Sequence, residues 1–218
     1  MSLTYILDHL PMFAEAAVLT IALAIAGIVL AIIIGLVCAL IRYFQVPAVS
    51  QLVSCYIELS RNTPLMIQLF FLYYGLTRVG IMLDGITCAI AGLAFLGGGY
   101  MAEAIRSGLE AVGKVQIESG LSVGLSKSQL IRYVVLPQAF AVAVPAIAAN
   151  TIFLIKETSV FSIIALPDLM YVAKDLMKEG YSNESNFMLV MFYLVIILPV
   201  SLSFTYLERR MRRVGLSN

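Results

Sequence analysis

Long apolar runs alternate with short polar stretches along the whole chain. The first run, residues 16–41, contains no charged residue, and the last, residues 187–207, is uncharged over 21 positions. A transmembrane helix needs about 20 predominantly apolar residues. The pattern therefore predicts an all-α integral membrane protein with about five transmembrane helices in one domain, residues 1–218. The predicted spans are roughly 13–42, 49–77, 85–112, 128–156 and 186–208.

Composition agrees with this pattern. Hydrophobic residues make up 61% of the chain, charged residues 12%, and the mean hydropathy is +0.97. An ordinary soluble domain has about a quarter of its residues charged. The net charge of +1 gives no sign of a nucleic-acid partner. The three cysteines lack the spacing of metal ligands, so we expect packing residues and no metal site.

The distribution of cations predicts the orientation in the membrane. Because cytoplasmic loops carry an excess of Lys and Arg, we expect the N-terminus outside and the C-terminus in the cytoplasm. The first apolar run is too long for the core of a signal peptide, and we expect it to be retained. On this topology the inner cations are Arg42, Lys114, Lys127, Arg132 and the tail arginines 209, 210, 212 and 213, and the outer ones are Arg78, Lys174 and Lys178.

The stretch 113–137 is polar although apolar runs flank it, which predicts a cytoplasmic loop, 113–127, between two spans. Ile117, Leu121 and Leu125 recur at four-residue steps and would form one apolar stripe on a short helix. Ser126 and Gln129 have the spacing of a capping box, so we expect the next helix to begin near residue 127.

A partial phosphate-binding motif lies just before this loop. Residues 108–115, GLEAVGKV, match the P-loop pattern except that Val115 stands where Ser or Thr binds magnesium. A membrane helix precedes the motif, whereas a P-loop follows a strand. We therefore expect no ATP binding by this chain.

Charged and polar residues within the spans are the candidates for function. Glu58 and Arg61 are three residues apart just before Pro64, which would kink or break the helix. They either form an ion pair that fixes the helix, or residues 61–63 line a polar pathway. Glu103 and Arg106 repeat the spacing.

A second polar set ends the fourth span, at residues 150–159. It places Lys156, Glu157, Thr158 and Ser159 among apolar neighbours, which predicts contacts with a small molecule. Residues 167–185 follow as an outer segment of mixed charge. We expect a short amphipathic helix there, lying along the membrane surface or under a partner.

Glu118, Gly124 and the pair 136–137, Leu-Pro, together resemble the EAA loop of ATP-binding cassette (ABC) importer permeases. Ser119 and Gly120 replace the two alanines of that motif. Three more stretches are similar to signatures of the polar amino acid branch. They are RNTP at 61–64 with Gln68, ExxR at 103–106 before Ser107-Gly108, and LPQA at 136–139 leading to KETS at 156–159. Asn62 departs from the usual glycine.

The resemblance implies a type I ABC importer fold and a multi-pass protein of the bacterial cell membrane. The chain would be the permease subunit of an ATP-driven amino acid importer and not itself an enzyme. Its implied partners are two ATP-binding cassette ATPase subunits, an identical or homologous second permease chain, an extracellular or periplasmic substrate-binding protein, the amino acid and the lipid bilayer. ATP and magnesium would be bound by the ATPase subunits, leaving no cofactor in this chain.

The resemblance also assigns roles to residues. The coupling contact with the ATPases would involve Ile117, Glu118, Gly120, Leu121, Gly124, Leu125 and Pro137. The substrate site or gate would include Thr63 beside the kink. Glu157 would meet the ammonium group and Arg61 or Lys156 the carboxylate, with Asn150, Thr158 and Ser159 as hydrogen-bond partners. Alternatively, Lys156 and Glu157 pair with each other at an outer gate. Two rival functions stay open, an ion-coupled secondary transporter and a membrane scaffold subunit.

Overall fold

The computed structural model describes residues 3–215, and no strand occurs among them. The α-helices are α1 (Leu3–Tyr43), α2 (Val49–Asn62), α3 (Leu65–Phe70), α4 (Gly85–Glu110), α5 (Lys114–Ser122), α6 (Lys127–Leu130), α7 (Leu136–Glu157), α8 (Leu169–Lys178) and α9 (Ser182–Gly215). A π turn, Phe71–Gly75, and a 3-10 turn, Leu76–Val79, extend α3. A second π turn, Ile131–Val135, joins α6 to α7, and a 3-10 turn, Thr158–Ile164, extends α7.

Four helical stretches within the described residues are long and apolar enough to cross a membrane. They are Thr4–Tyr43, Gly85–Glu110, Lys127–Ile164 and Asn183–Arg210. The stretch 49–77, for which the sequence predicts a single span, is instead divided after Asn62, and its apolar part, Leu65–Val79, is shorter than the other four. The first helix also begins ten residues before the predicted boundary at residue 13.

Helix α4 is the centre of the bundle and packs against α1, α2 and α7. Glycines permit this packing, because a Cβ added to Gly35 would lie 2.5 Å from the Cβ of Met101, and one added to Gly97 would lie 2.7 Å from the Cβ of Ala31. The triple glycine 97–99 thus lies where α4 closely approaches its neighbours. Small residues at helix interfaces let backbones approach in this way.

One of the two predicted intrahelical ion pairs is present. Glu103 accepts hydrogen bonds from Arg106 and also binds Arg42 of α1, while Arg106 reaches on to Glu110. No ion pair joins Glu58 to Arg61 within residues 3–215. The amide of Asn62 donates to the Glu58 carboxylate instead, at 3.0 Å.

The predicted amphipathic helix of the outer segment is α8. Its apolar face is buried against α1 and α9 of the same chain, where Leu169, Val172 and Leu176 pack on Phe13 and Met188. The sequence led us to expect this apolar face on the membrane surface or under a partner, but in the structure it packs within its own chain. Among the predicted tail cations, the side chains of residues 212 and 213 lie outside the described residues.

Candidate functional site

The first feature of the site is the break between α2 and α3. Pro64 has no N–H, so it cannot donate to the carbonyl of Ser60, which the preceding turn leaves free. Nε2 of Gln68 fills that place: it lies 3.2 Å from Ser60 O, 3.1 Å from Thr63 O and 2.8 Å from Thr63 Oγ1. The break is thus held by one amide side chain, and it interrupts the helix at Thr63, whose backbone is extended, directly after Arg61 and Asn62.

A cavity of about 610 Å³ opens beside this break. It falls within the usual volume of small-molecule sites, roughly 300–1,000 Å³. Its polar and aromatic walls are Arg61, Asn62, Thr63, Tyr100, Phe153 and Glu157. The cavity thus has a cation on α2 and a carboxylate at the end of α7. These two side chains form no ion pair with each other in the described part of the chain, so both charges are available to a ligand.

Tyr100 organises the wall between the two charges. Its ring lies 5.3 Å from the guanidinium carbon of Arg61 and 5.2 Å from the ring of Phe153, centroid to centroid. Nδ2 of Asn150 donates to the Tyr100 carbonyl at 3.1 Å. Asn150 therefore supports this wall through the backbone of α4 and does not itself line the cavity.

The KETS segment divides among three environments. The Glu157 side chain lines the cavity, Lys156 is exposed outside it, and Thr158 is fully buried. The Thr158 hydroxyl donates to Ile155 O at 2.7 Å and lies 3.4 Å from the Tyr193 hydroxyl. Successive residues of a helical turn point in different directions, so the segment cannot act as one contact set. Ser159 is half-buried and also lies off the cavity.

The second feature is α5, at the end of the bundle where α4 ends and α6 begins. Its C-terminus is a Schellman motif, in which Leu125 N donates to Gly120 O at 3.1 Å and Gly124 N to Leu121 O at 3.0 Å. Gly124 has φ +86°, a conformation that glycine adopts without strain. Gly120 is buried, and a Cβ there would lie 2.5 Å from Leu130 Cδ1. Gly120 therefore permits close packing on Leu130, and Gly124 permits the turn after α5.

The predicted apolar stripe of this stretch divides between the inside and the outside of the bundle. Ile117 is half-buried and packs on a cluster that contains Leu109, Val112 and Val135. Leu125 lies beyond the end of α5. Because α5 ends at residue 122, Leu125 cannot continue the stripe, and Leu121, about 40° further around the helix than Ile117, is exposed. The exposed face carries Val115, Glu118, Leu121 and Val123.

The helix after α5 begins as predicted. Ser126 caps the N-terminus at Lys127, and both hydrogen bonds of the capping box with Gln129 are present. Pro137 stands in the first turn of α7, directly after the π turn, where its missing N–H is least costly. The amide of Gln138 donates to Oε1 of Gln116, which ties α5 to α7.

Comparison with known proteins identifies the family. Residues 27–213 match the model of the binding-protein-dependent transport system inner membrane component. The chain belongs to this family of permeases. It is a multi-pass membrane protein with the fold of the type I ABC importer permeases.

Relatives of this permease cover nearly its whole length. It is 34% identical over 201 residues to the probable glutamine ABC transporter permease protein GlnP of Bacillus subtilis (strain 168), a match that covers 92% of this chain and 91% of that one. It is 30% identical over 206 residues to the glutamine transport system permease protein GlnP of Escherichia coli (strain K12), covering 93% and 94%.

Solved structures are similar over the same length. The crystal structure of an amino acid ABC transporter with histidines has a TM-score of 0.88 at 29% identity, covering 96% of this permease and 99% of that chain. An inward-facing structure of the MetNI methionine ABC transporter has a TM-score of 0.78 at 20% identity, covering 97% and 99%, which shows the fold.

Sequence reasoning missed three side chains that shape the two features of the permease. Tyr100 and Phe153 line the cavity, and Gln116 joins α5 to α7. Tyr100 directly follows the triple glycine. Phe153 lies one helical turn after Asn150 and one turn before Glu157, so its place on the same helix face as these two candidates could have been inferred from their spacing. Nothing in the sequence around Gln116 points to its partner 22 positions away.

Proposed function

We propose that this permease is the membrane subunit of an ATP-driven amino acid importer, in which a pair of permease chains forms the translocation pathway by alternating access. The observation that carries the proposal is the cavity at the α2–α3 break, which places the Arg61 guanidinium and the Glu157 carboxylate in one space without pairing them. An amino acid zwitterion has one charge to meet each of them. The named transport of glutamine by similar permeases supports this substrate class.

Within this cavity, Glu157 binds the substrate ammonium and Arg61 its carboxylate. Thr63 also lines the cavity, but its hydroxyl donates to Leu59 O and accepts from Gln68. Tyr100 and Phe153 provide the apolar surface against the substrate side chain. Glu157 is half-buried, and a charge that is partly removed from water is stabilised by a partner of opposite charge. The bound zwitterion supplies both partners. Lys156 is not assigned to the substrate, since its side chain is exposed outside the cavity.

Uptake of a radiolabelled amino acid mixture by cells or proteoliposomes tests this assignment. Glu157→Gln is expected to lower uptake by about tenfold or more, because an ammonium ion loses its charged partner. Lys156→Gln is the matched control, as it removes the neighbouring charge outside the cavity, and it should leave uptake unchanged. Equal effects of the two variants, or unchanged uptake with Glu157→Gln, would refute the site.

We further propose that α5 is the contact through which ATPase subunits drive the permease. The exposed apolar side chains of Val115 and Leu121 next to Glu118 form a surface that fits a groove on a partner. Gln116, through its hydrogen bond to Gln138, and Ile117, through its packing on Leu109 and Val135, transmit movement of α5 to α7 and α4. ATP and magnesium are then bound by the ATPase subunits, and a binding protein delivers the substrate from outside.

The coupling proposal is tested by ATP hydrolysis in vesicles that contain the assembled transporter. Glu118→Lys is expected to abolish stimulation of hydrolysis by substrate, whereas Glu179→Lys, an exposed reversal after α8, should retain it. Stimulation that survives Glu118→Lys would remove α5 from the coupling path. An ion-coupled carrier would lose uptake when a protonophore is added, whereas this importer should keep its ATP-dependent uptake. A scaffold subunit would support no substrate uptake at all.

A further inference from the structure

A second crevice lies between α1, α4, α7 and α9, at the same end of the bundle as α5. Its volume is about 340 Å³ and all thirteen of its lining residues are apolar. Its four walls are formed by α1 (Leu36 and Leu40), α4 (Leu109), α7 (Phe140) and α9 (Leu207). An α-helix with its side chains is about 10 Å in diameter and does not fit into a crevice of this volume, whereas a single extended hydrocarbon chain does.

Arginines flank the crevice at the end that faces the predicted cytoplasm. Arg132 precedes the lining residue Leu136 by about one helical turn, and Arg210 follows the lining residue Leu207 by about one turn. Arg132, Arg209 and Arg210 are all exposed, and none of them forms an ion pair within residues 3–215. Arg42 and Arg106 at the same end are neutralised by Glu103 and Glu110.

We propose that this crevice is a binding site for an anionic phospholipid of the inner leaflet. One acyl chain lies in the apolar crevice, and the headgroup phosphate is bound by Arg132 and Arg210. Basic residues beside clefts between transmembrane helices recognise acidic headgroups in this way. A second copy of the chain is disfavoured as the occupant, because it would bring the same unpaired arginines against each other.

The crevice is separate from the proposed substrate cavity, and a lipid bound there would affect the packing of α9. Helices α7 and α9 form two of its walls, and α7 also carries Glu157 and is tied to α5. A bound lipid would fill the gap between α9 and the rest of the bundle and hold α9 in place. Binding can be measured without transport, so failure of the transport proposal and failure of this one are distinguishable.

The chain contains no tryptophan, which allows a direct test with brominated lipids. Phe140→Trp places a single fluorophore on the crevice wall, and Val37→Trp places one on α1 at an exposed position that does not line the crevice. Each variant of the full-length permease, with its co-purifying subunits, is reconstituted in nanodiscs of brominated phosphatidylglycerol or brominated phosphatidylcholine mixed with unbrominated phosphatidylcholine. If those subunits contain tryptophan, their fluorescence is subtracted with the wild-type complex.

At equal bromolipid fractions, the Phe140→Trp signal should be quenched selectively by phosphatidylglycerol, with an apparent affinity ratio of about fivefold per contributing arginine. Selectivity should fall to that of Val37→Trp, close to one, when Arg132→Ala and Arg210→Ala are added, and should survive Arg78→Ala, which removes an outer arginine. Inorganic phosphate at millimolar concentration should not relieve the quenching.

Three results would overturn the proposal. Equal quenching of the Phe140→Trp signal by both lipids would mean that the crevice admits acyl chains but does not recognise the headgroup. Absence of quenching by either lipid would mean that protein covers the crevice, a second copy included. Selectivity that persists in the double arginine variant would place the headgroup elsewhere.

Discussion

Nη1 of Arg42 lies 2.6 Å from Oε1 of Glu103, and this pair joins the end of α1 to α4 across 61 positions of sequence. The same carboxylate accepts two hydrogen bonds from Arg106, and Arg106 in turn binds Glu110. Glu103 is therefore the single anion between two arginines. Its side chain is 23% exposed, whereas that of Glu110 is 52% exposed.

Removing the charge of Glu103 should destabilise the bundle. In Glu103→Gln two arginines lose their shared anion in a half-buried place, and we expect a loss of about 2–3 kcal/mol in the free energy of unfolding. Glu110→Gln removes one exposed pair and should cost no more than about 0.5 kcal/mol. Thermal unfolding of both variants in one detergent measures the difference, and equal midpoints would contradict the shared-anion role.

The break between α2 and α3 should depend on Gln68. Gln68→Leu preserves the approximate volume but leaves the carbonyls of Ser60 and Thr63 without their donor, at an expected cost of about 1–3 kcal/mol. Asn62→Ala removes an exposed amide that also makes two hydrogen bonds, and it should cost less than about 1 kcal/mol. Protease sensitivity near residue 63 should rise only in the first variant; a rise in both would indicate a loop that is loose by itself.

The C-terminus of α5 should depend on the conformation of Gly124. Nothing lies within 4 Å of a Cβ added at Gly124 or at Gly113, but only Gly124 has a positive φ. Gly124→Ala should therefore cost about 1 kcal/mol from the backbone alone, while Gly113→Ala should be nearly neutral. Amide hydrogen exchange of α5 is the measurement, with protection about fivefold lower in Gly124→Ala. Similar protection in the two variants would count against the Schellman end.

The buried carboxyl of Asp168 should make stability depend on pH. Asp168 caps α8, since Oδ1 accepts from Tyr171 N at 2.9 Å, but Oδ2 is buried and has no hydrogen-bond partner in the described residues. Burial raises the pKa of Asp168 from 3.8 to about 6, although the hydrogen bond from Tyr171 N–H and, to a smaller extent, the positive charge of Lys174 act in the opposite direction. Thr20 and Tyr193 face the same region as neutral groups.

The sign follows from the raised pKa. The folded protein holds this proton more tightly than the unfolded chain, so the stabilisation is fully present below about pH 4 and is lost as pH rises through about 6, with a magnitude on the order of 2–3 kcal/mol. Asp168→Asn keeps the cap and removes the charge, which should raise the unfolding midpoint at pH 7 and flatten its dependence on pH between 4 and 6. Asp175→Asn, an exposed partner of Lys178, is the control. An unchanged pH profile in Asp168→Asn would disprove the assignment.

Much of the fold was accessible from the sequence because it depends on neighbours along the chain. Uncharged runs of about 20 residues determine membrane helices, Ser126 with Gln129 determines where α6 begins, and Pro64 determines where α2 ends. Each of these effects acts within one or two helical turns.

The tertiary structure decided which side chains meet. Glu58 and Arg61 have the same spacing as Glu103 and Arg106, yet only the second pair forms, because Arg61 lies over the Tyr100 ring of α4 while Asn62 donates to Glu58. Neighbouring Lys156 and Glu157 separate, with only Glu157 in the cavity. Spacing defines the faces of a helix, but the element that packs on each face is set by long-range contacts that leave no local mark in the sequence.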